Sequence, residues 1–226
     1  QMCIRDRGYI EALTEKHRME KQLDEVRLQM LKNQINPHFL FNTLNMIAST
    51  AQIEDADTTE KMIHALSRLF RYNLKSTDSV MPLERELKVV QDYMYLQQMR
   101  FGQRIRYDTD CKPDTMEVLV PSFALQPLVE NAIIHGISPK GQGGRIHVRS
   151  WMEGRRLWIS VADTGRGMAQ ERLEEIRLAL ARGDEKATGV GVGNIYRRDH
   201  GMYRDGEVFI YSSEGRGTVV QMAFTP

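Results

Sequence analysis

Apolar positions along the first hundred residues recur at helical spacing. Met19, Leu23, Val26 and Met30 lie 4, 3 and 4 residues apart in a polar stretch, Tyr9–Lys32, free of glycine and proline. This narrow seam predicts a helix that pairs with a copy of itself. A second helix is expected from Pro37 to about Ala51, with Phe41, Leu44, Ala48 and Ala51 on one face. Pro37 either starts it or kinks a longer helix, since proline lacks the N–H and crowds the preceding turn. QIEDADTT reads as a turn. A third helix, Thr58–Leu74, brings Met62, Leu66 and Leu69 inward with Phe70 beside them. Two amphipathic helices and a short turn make an antiparallel hairpin, which buries little alone and predicts dimerisation into a four-helix bundle. A fourth helix has Pro82 at an N1-like position, carries Leu83, Leu87, Val90 and Met94 on one face, and stops after Arg100 at Phe101–Gly102.

After residue 102 the texture changes. Strands are expected at Arg104–Asp110, Ile146–Met152, Leu157–Ala162, Val208–Ser213 and Thr218–Phe224, with helices at Ser122–His135 and Ala169–Ala181. The pattern predicts an α+β chain: residues 1–30 a signalling or coiled-coil helix, 31–102 a helical dimerisation region, and 103–226 an α/β sandwich. That sandwich has a mixed sheet, helices on one face and a site between them. Residues 1–7, QMCIRDR, fit neither the helical pattern nor a targeting signal and are read as a remnant outside the fold. A natural chain extending upstream, with a membrane span there, is the matching expectation.

Composition narrows the class. With 226 residues, 41% hydrophobic and 27% charged, the chain can bury a substantial core. A net charge of +1 gives no global field for nucleic acid. Two cysteines, Cys3 and Cys111, make no disulfide framework or zinc spacing and suit a reducing compartment. No run of about 18 apolar residues is present to span a membrane.

Four segments carry candidate chemistry. In LVENAIIHG, Asn131 and His135 are i and i+4 on one helix face with Glu130 beside them; an amide oxygen suits Mg²⁺, which keeps waters and takes phosphate oxygens. In VADTGRGM, an apolar strand ends at Asp163, whose carboxylate can accept from an exocyclic amine, and Gly165 and Gly167 let a ring approach the backbone. In TGVGVGN, glycines opening a helix offer backbone N–H groups to phosphate, without the lysine of a P-loop. EGRGT reads as a tight hairpin with a mainly structural role. A polar stripe, a common loop or a flexible loop would explain any one of the first three alone.

Taken in order, the segments resemble the N, G1 and G2 boxes of the GHKL-type ATP-binding fold shared by gyrase, MutL and histidine kinases, over residues 103–226. Upstream, QINPHFLFNTLN resembles the phosphoacceptor region of the LytS/YesM-like sensor histidine kinases, and PLERELKVVQDYMYLQQMRFG their interdomain segment. The resemblance implies His38 as phosphoacceptor, Asn131 as the Mg²⁺ ligand, Glu130 as a polarising or base-like neighbour and His135 near the phosphates. It implies Asp163 on the adenine amine with Gly165 and Gly167 beside it, and Gly189 and Gly191 flanking the phosphates, with Asn194 opening the next helix. Val192 and Gly193 depart from the family's usual leucine and longer residue. ATP and Mg²⁺ are the implied cofactors, and a homodimer with a response-regulator partner the implied assembly, on the inner face of a membrane with sensor segments upstream.

His38 has no metal-ligand partner one turn on, where Phe41 and Asn42 stand. An imidazole with a pKa of about 6.5 is largely neutral and nucleophilic at neutral pH, as an acceptor must be. The reading is an ATP-dependent protein histidine kinase; a nucleotide-binding scaffold and a gyrase-like ATPase or serine kinase of the same fold are the alternatives.

Overall fold

The computed structural model describes residues 37–75, 79–182 and 205–226. The seam of residues 9–32 and the glycine-rich TGVGVGN lie outside them, as do Gly189, Gly191 and Asn194. The chain divides into two compact units, between Ile63 and His64.

The first unit contains helix α1 (Pro37–Ile53) and the start of α2 (Asp57–Lys75). Leu44, Ala48 and Ala51 are buried, as their spacing predicts. Hydroxyls that would otherwise compete with the helix are turned back onto it: Thr43, Ser49 and Thr50 donate to the carbonyls of Phe39, Asn45 and Met46. Asp55 turns the chain at φ 53°, a left-handed setting that aspartate tolerates, and Ala56 N–H donates to Ala51 O at 2.7 Å. Asp57 and Glu60 then face the positive end of the α2 dipole. The opposite side of α1 is apolar too. Phe39, Met46 and Ile53, seven residues apart, are 70%, 64% and 83% exposed.

The second unit is built on a five-stranded mixed sheet: β2 (Ile105–Cys111), β4 (Gly144–Glu153), β5 (Arg156–Asp163), β6 (Glu207–Ser213) and β7 (Gly217–Phe224) in the order β2-β4-β5-β7-β6. β2 runs parallel to β4 and every other pair is antiparallel. The inner face follows the alternation of the strands: Ile146, Val148, Leu157, Ile159, Val161, Met222 and Phe224 are all buried. On the outer face Trp151 stacks on Trp158 and Trp158 on Phe209, with ring centroids 5.9 and 5.8 Å apart.

Helix α3 (Leu83–Phe101) lays Leu83, Leu87, Val90 and Met94 into the same core as the sheet. The division expected near residue 102 therefore runs through a packed interface. Pro82 is the N-cap of α3 rather than its first residue, because it ends a short strand, β1 (Val80–Pro82), that pairs with β3 (Leu119–Pro121). Strands of three residues are too short to show alternation in sequence. Helix α5 (Gln170–Arg182) adds a smaller cluster, Leu173, Ile176 and Leu180 on Ile210.

The helix expected over Ser122–His135 requires correction. Residues 122–125 form a turn with Phe123 at φ 62°; α4 spans only Gln126–Asn131, and a π-helical turn, Ala132–Ile137, continues it. Pro127 is the physical reason: with no N–H to give the preceding turn, it fits the first turn of a helix and not its middle. Among the described residues no helix is long and apolar enough to cross a membrane.

Because α3 shares the sheet's core, Met94→Ala is expected to destabilise the sheet by about 2–5 kcal/mol. Denaturant unfolding followed by fluorescence checks this, since Trp151 and Trp158, both on the sheet, are the only tryptophans. An unmoved tryptophan transition would detach α3 from that core.

Candidate functional site

The carboxyl end of β5, the first residues of β4 and β7 and the π-helical turn after α4 meet at one loop. Strand β5 ends at Asp163, and residues 164–169 carry the chain to α5. This loop is tied on two sides. On one side, Arg166 N–H donates to Gly136 O at 2.9 Å and Arg166 Nε to His135 O at 3.1 Å, both in the π-helical turn. On the other, Gly215 N–H donates to Arg166 O at 2.6 Å and Met168 N–H to Ser212 Oγ at 2.9 Å, both on the β6–β7 hairpin.

Three glycines make those ties possible. A Cβ on Gly165 would overlap the backbone of Gly136, and a Cβ on Gly136 would stand 2.7 Å from Asp163 Oδ1. Gly167, at φ 66°, faces the Ser213 carbonyl with no room for a side chain. The EGRGT hairpin has the structural role its sequence suggests, and the contact it makes is with this loop: Gly217 lies against the Asp163 carbonyl.

Asp163 is half-buried. Burial pushes its carboxyl above the usual range; N–H groups of Gly165 and Thr218 and the charge of Lys140 act against that rise. Gly165 N–H reaches Oδ1 at 2.7 Å. A carboxylate accepts about four hydrogen bonds, so two backbone donors leave it capacity for a further one, such as an amine of a planar base. Lys140 is held nearby by Thr164 O, 2.9 Å from Nζ.

On α4, Glu130 and Asn131 are half-buried, while His135, in the π-helical turn, is exposed. The i, i+4 pairing of Asn131 with His135 assumed α-helical geometry; the turn at Ala132 widens the helix between them, as such bulges do at functional sites. Glu130 Oε1 accepts from Gln126 Nε2 at 2.8 Å. Tyr93 on α3 is pushed up to about 12, by burial first and the Glu130 charge second. His38 is the second residue of α1, in the first unit. Gly136, Gly217, Thr218, Lys140 and Arg166 join the site in the structure without a sequence signal of their own role there. Gly136 closes the LVENAIIHG motif and was legible as a glycine, but its partner, Gly165, was not.

A two-layer sandwich with a carboxylate at a strand end, a glycine loop beneath it and a polar helix face opposite defines a nucleotide-binding class. Residues 121–226 match the family of histidine kinase-, DNA gyrase B- and HSP90-like ATPases, and residues 26–105 match the histidine kinase family. The chain belongs to the histidine kinases. It is 34% identical to the sensor histidine kinase YpdA of Escherichia coli over 83% of its own length, and 33% identical to the sensor protein LytS of Staphylococcus saprophyticus over 87%. It spans about a third of each of those relatives, 32% and 33%. A looser likeness, TM-score 0.48 at 19% identity, covers 88% of this chain and 94% of the histidine kinase domain of the Erythrobacter litoralis EL346 blue-light activated histidine kinase.

The raised Asp163 pKa has a signed consequence. Its ionised form is disfavoured by folding, so the stability this group contributes is present below the ordinary carboxylate value of about 4 and is lost as pH rises through the raised one. The Tm of Asp163→Asn should therefore gain on that of the parent between about pH 4 and pH 7. Thermal unfolding across that range checks the sign, and a difference that moves the other way refutes it.

Proposed function

We propose that this chain is the kinase core of a two-component sensor: an ATP-dependent protein histidine kinase that phosphorylates its own His38. A single observation carries the reading. One chain joins an ATP-binding sandwich to an upstream Asn-Pro-His-Phe segment inside the residues that match the histidine kinase family. A nucleotide site alone would serve an ATPase equally well; the acceptor imidazole is what that reading lacks.

In this reading Asp163 accepts the adenine amine, using its spare capacity, and Gly165 and Gly167 let the ring lie against the backbone. Asn131 offers its amide oxygen to Mg²⁺, which when bound neutralises phosphate charge and takes its remaining ligands from water and phosphate. The donor set fits that ion. By the family resemblance, Gly189 and Gly191 would flank the phosphates, with Asn194 after them in the nucleotide-binding set and His135 near the phosphates. A ring nitrogen of His38 forms a bond to the γ-phosphorus as the bond from that phosphorus to the ADP oxygen breaks. ADP departs, and the imidazolium gives up its proton to solvent; Glu130 is the polarising or base-like neighbour of Asn131. The phosphoryl group then passes to an aspartate oxygen of a response regulator, breaking the N–P bond. Little covalent chemistry is asked of the protein beyond placing the reactants.

The reading includes a homodimer. The exposed stripe Phe39, Met46 and Ile53, with Ile47 also 43% exposed, is supported as its contact face by the seven-residue spacing of paired helices. It also includes a position on the inner face of a membrane, held by sensor segments of the longer protein.

Incubation with γ-labelled ATP and Mg²⁺ tests the chemistry. The parent should gain acid-labile, alkali-stable label and His38→Ala should gain none. ATP binding without label in the parent would turn the reading to a nucleotide-binding scaffold. The dimer has its own test: Met46→Asp should halve the mass measured by light scattering, and an unchanged dimer mass would remove α1 from the contact.

A further inference from the structure

The apolar face of α3 contains one residue that does not belong there by hydrophobicity. Glu86 lies between Leu83 and Leu87 and is 0% exposed. A buried carboxylate is expensive, and a leucine would serve the core better. Among the described residues no lysine or arginine is hydrogen-bonded to it; what surrounds it is a set of donors. Its Oε1 accepts from the Tyr72 hydroxyl and from Phe123 N–H at 2.9 Å, and its Oε2 from Leu125 N–H at 3.0 Å. Phe123 N–H also reaches Tyr72 Oη at 2.7 Å, and the two rings meet with centroids 4.4 Å apart.

The groups held this way are particular ones. Phe123 is left-handed at φ 62°, a setting unfavourable for a residue with a side chain, which persists only when its surroundings impose it. Leu125 immediately precedes α4, the six-residue helix that ends at Asn131. Such a helix is about 9 Å long, so a small tilt at Leu125 is delivered to Asn131 as a displacement. Tyr72 comes from α2, whose last turns are tied to α3 a second time: Arg68 Nε and Nη2 donate to the Asp92 carboxylate, each at 2.7 Å.

We propose that Glu86 and Tyr72 are positioning residues of the nucleotide site. They fix the backbone of residues 122–125 at the setting that presents Glu130 and Asn131, so that order in the last turns of α2 is read out as affinity for magnesium-bound nucleotide. The proposal rests on the reading of Asn131 as the group nearest that ion. It adds two residues that touch neither nucleotide nor metal, and a route by which a helix outside the sandwich acts on the site.

Calorimetric titration of the whole chain with ATP plus Mg²⁺, and separately with adenosine, tests it on the parent, Tyr72→Phe, Glu86→Gln and a control, Tyr107→Phe, which removes a buried hydroxyl from a half-buried tyrosine elsewhere on the sheet. Tyr72→Phe keeps the ring against Phe123 and removes only the hydroxyl. It should weaken magnesium–ATP binding about five- to thirty-fold, the effect of one lost buried hydrogen bond. Adenosine, which would be read at Asp163, should bind within about twofold of the parent in every variant, and Tyr107→Phe should match the parent for both ligands. Equal magnesium–ATP affinity in parent and Tyr72→Phe overturns the proposal. So does a parallel loss for adenosine, which would mark a general loosening, and so does a Tyr72→Phe chain that no longer folds. Should Glu86→Gln fail to fold, Tyr72→Phe decides alone. A parent that binds no magnesium–ATP overturns the nucleotide reading itself; a parent that binds while both variants bind equally well overturns only the positioning role.

Discussion

Everything at the candidate site depends on two stretches of backbone lying closer than side chains allow. Gly165 rests on Gly136, so the loop after β5 and the π-helical turn after α4 are joined main chain to main chain. Arg166 then donates to Gly136 O, and the β6–β7 hairpin holds the loop from the other side. The result is a short loop fixed at both flanks, which keeps Asp163 at the strand end in one place. A methyl group at Gly165 would push α4 and its polar face away from the carboxylate.

Two carboxylates of the second unit, Asp163 and Glu86, are treated differently. Asp163 is half-buried, accepts backbone N–H groups and keeps lone-pair capacity, which is what a recognition group needs. Glu86 is fully buried and surrounded by donors, which is what a structural bracket needs. Burial raises both above the ordinary carboxylate range. The distinction lies in the geometry of their partners.

Periodicity made the helices and most of the strands legible. Leu83, Leu87, Val90 and Met94 announced a buried face, and β4 and β5 lie within about two residues of where alternation put them. The motifs named the residue types of the site: Asn131, Asp163 and the glycines. What could not be read was pairing. Gly136 and Gly165, or Gly217 and Asp163, are distant in sequence and touch only because the sheet brings them together. Glu86 was unreadable for another reason: a glutamate inside an apolar helical face looks like the edge of that face until its donors are seen. Pro127 is a local signal of a different kind, since a proline six residues into an expected helix places the start of that helix later. Short ribbons such as β1–β3 leave no period to detect.

The membership of α3 in the sheet's core decides where this protein can be divided. A fragment cut at residue 103 would begin with β2 and leave behind the face of Leu83, Leu87, Val90 and Met94. The uncovered inner strands would then present a broad apolar surface, the kind that draws folded domains into aggregates. A cut before Arg68 would instead carry α3, the Glu86 bracket and the last turns of α2 with the sheet. The smallest piece that keeps this core intact is thus larger than its motifs, and it includes the last turns of α2.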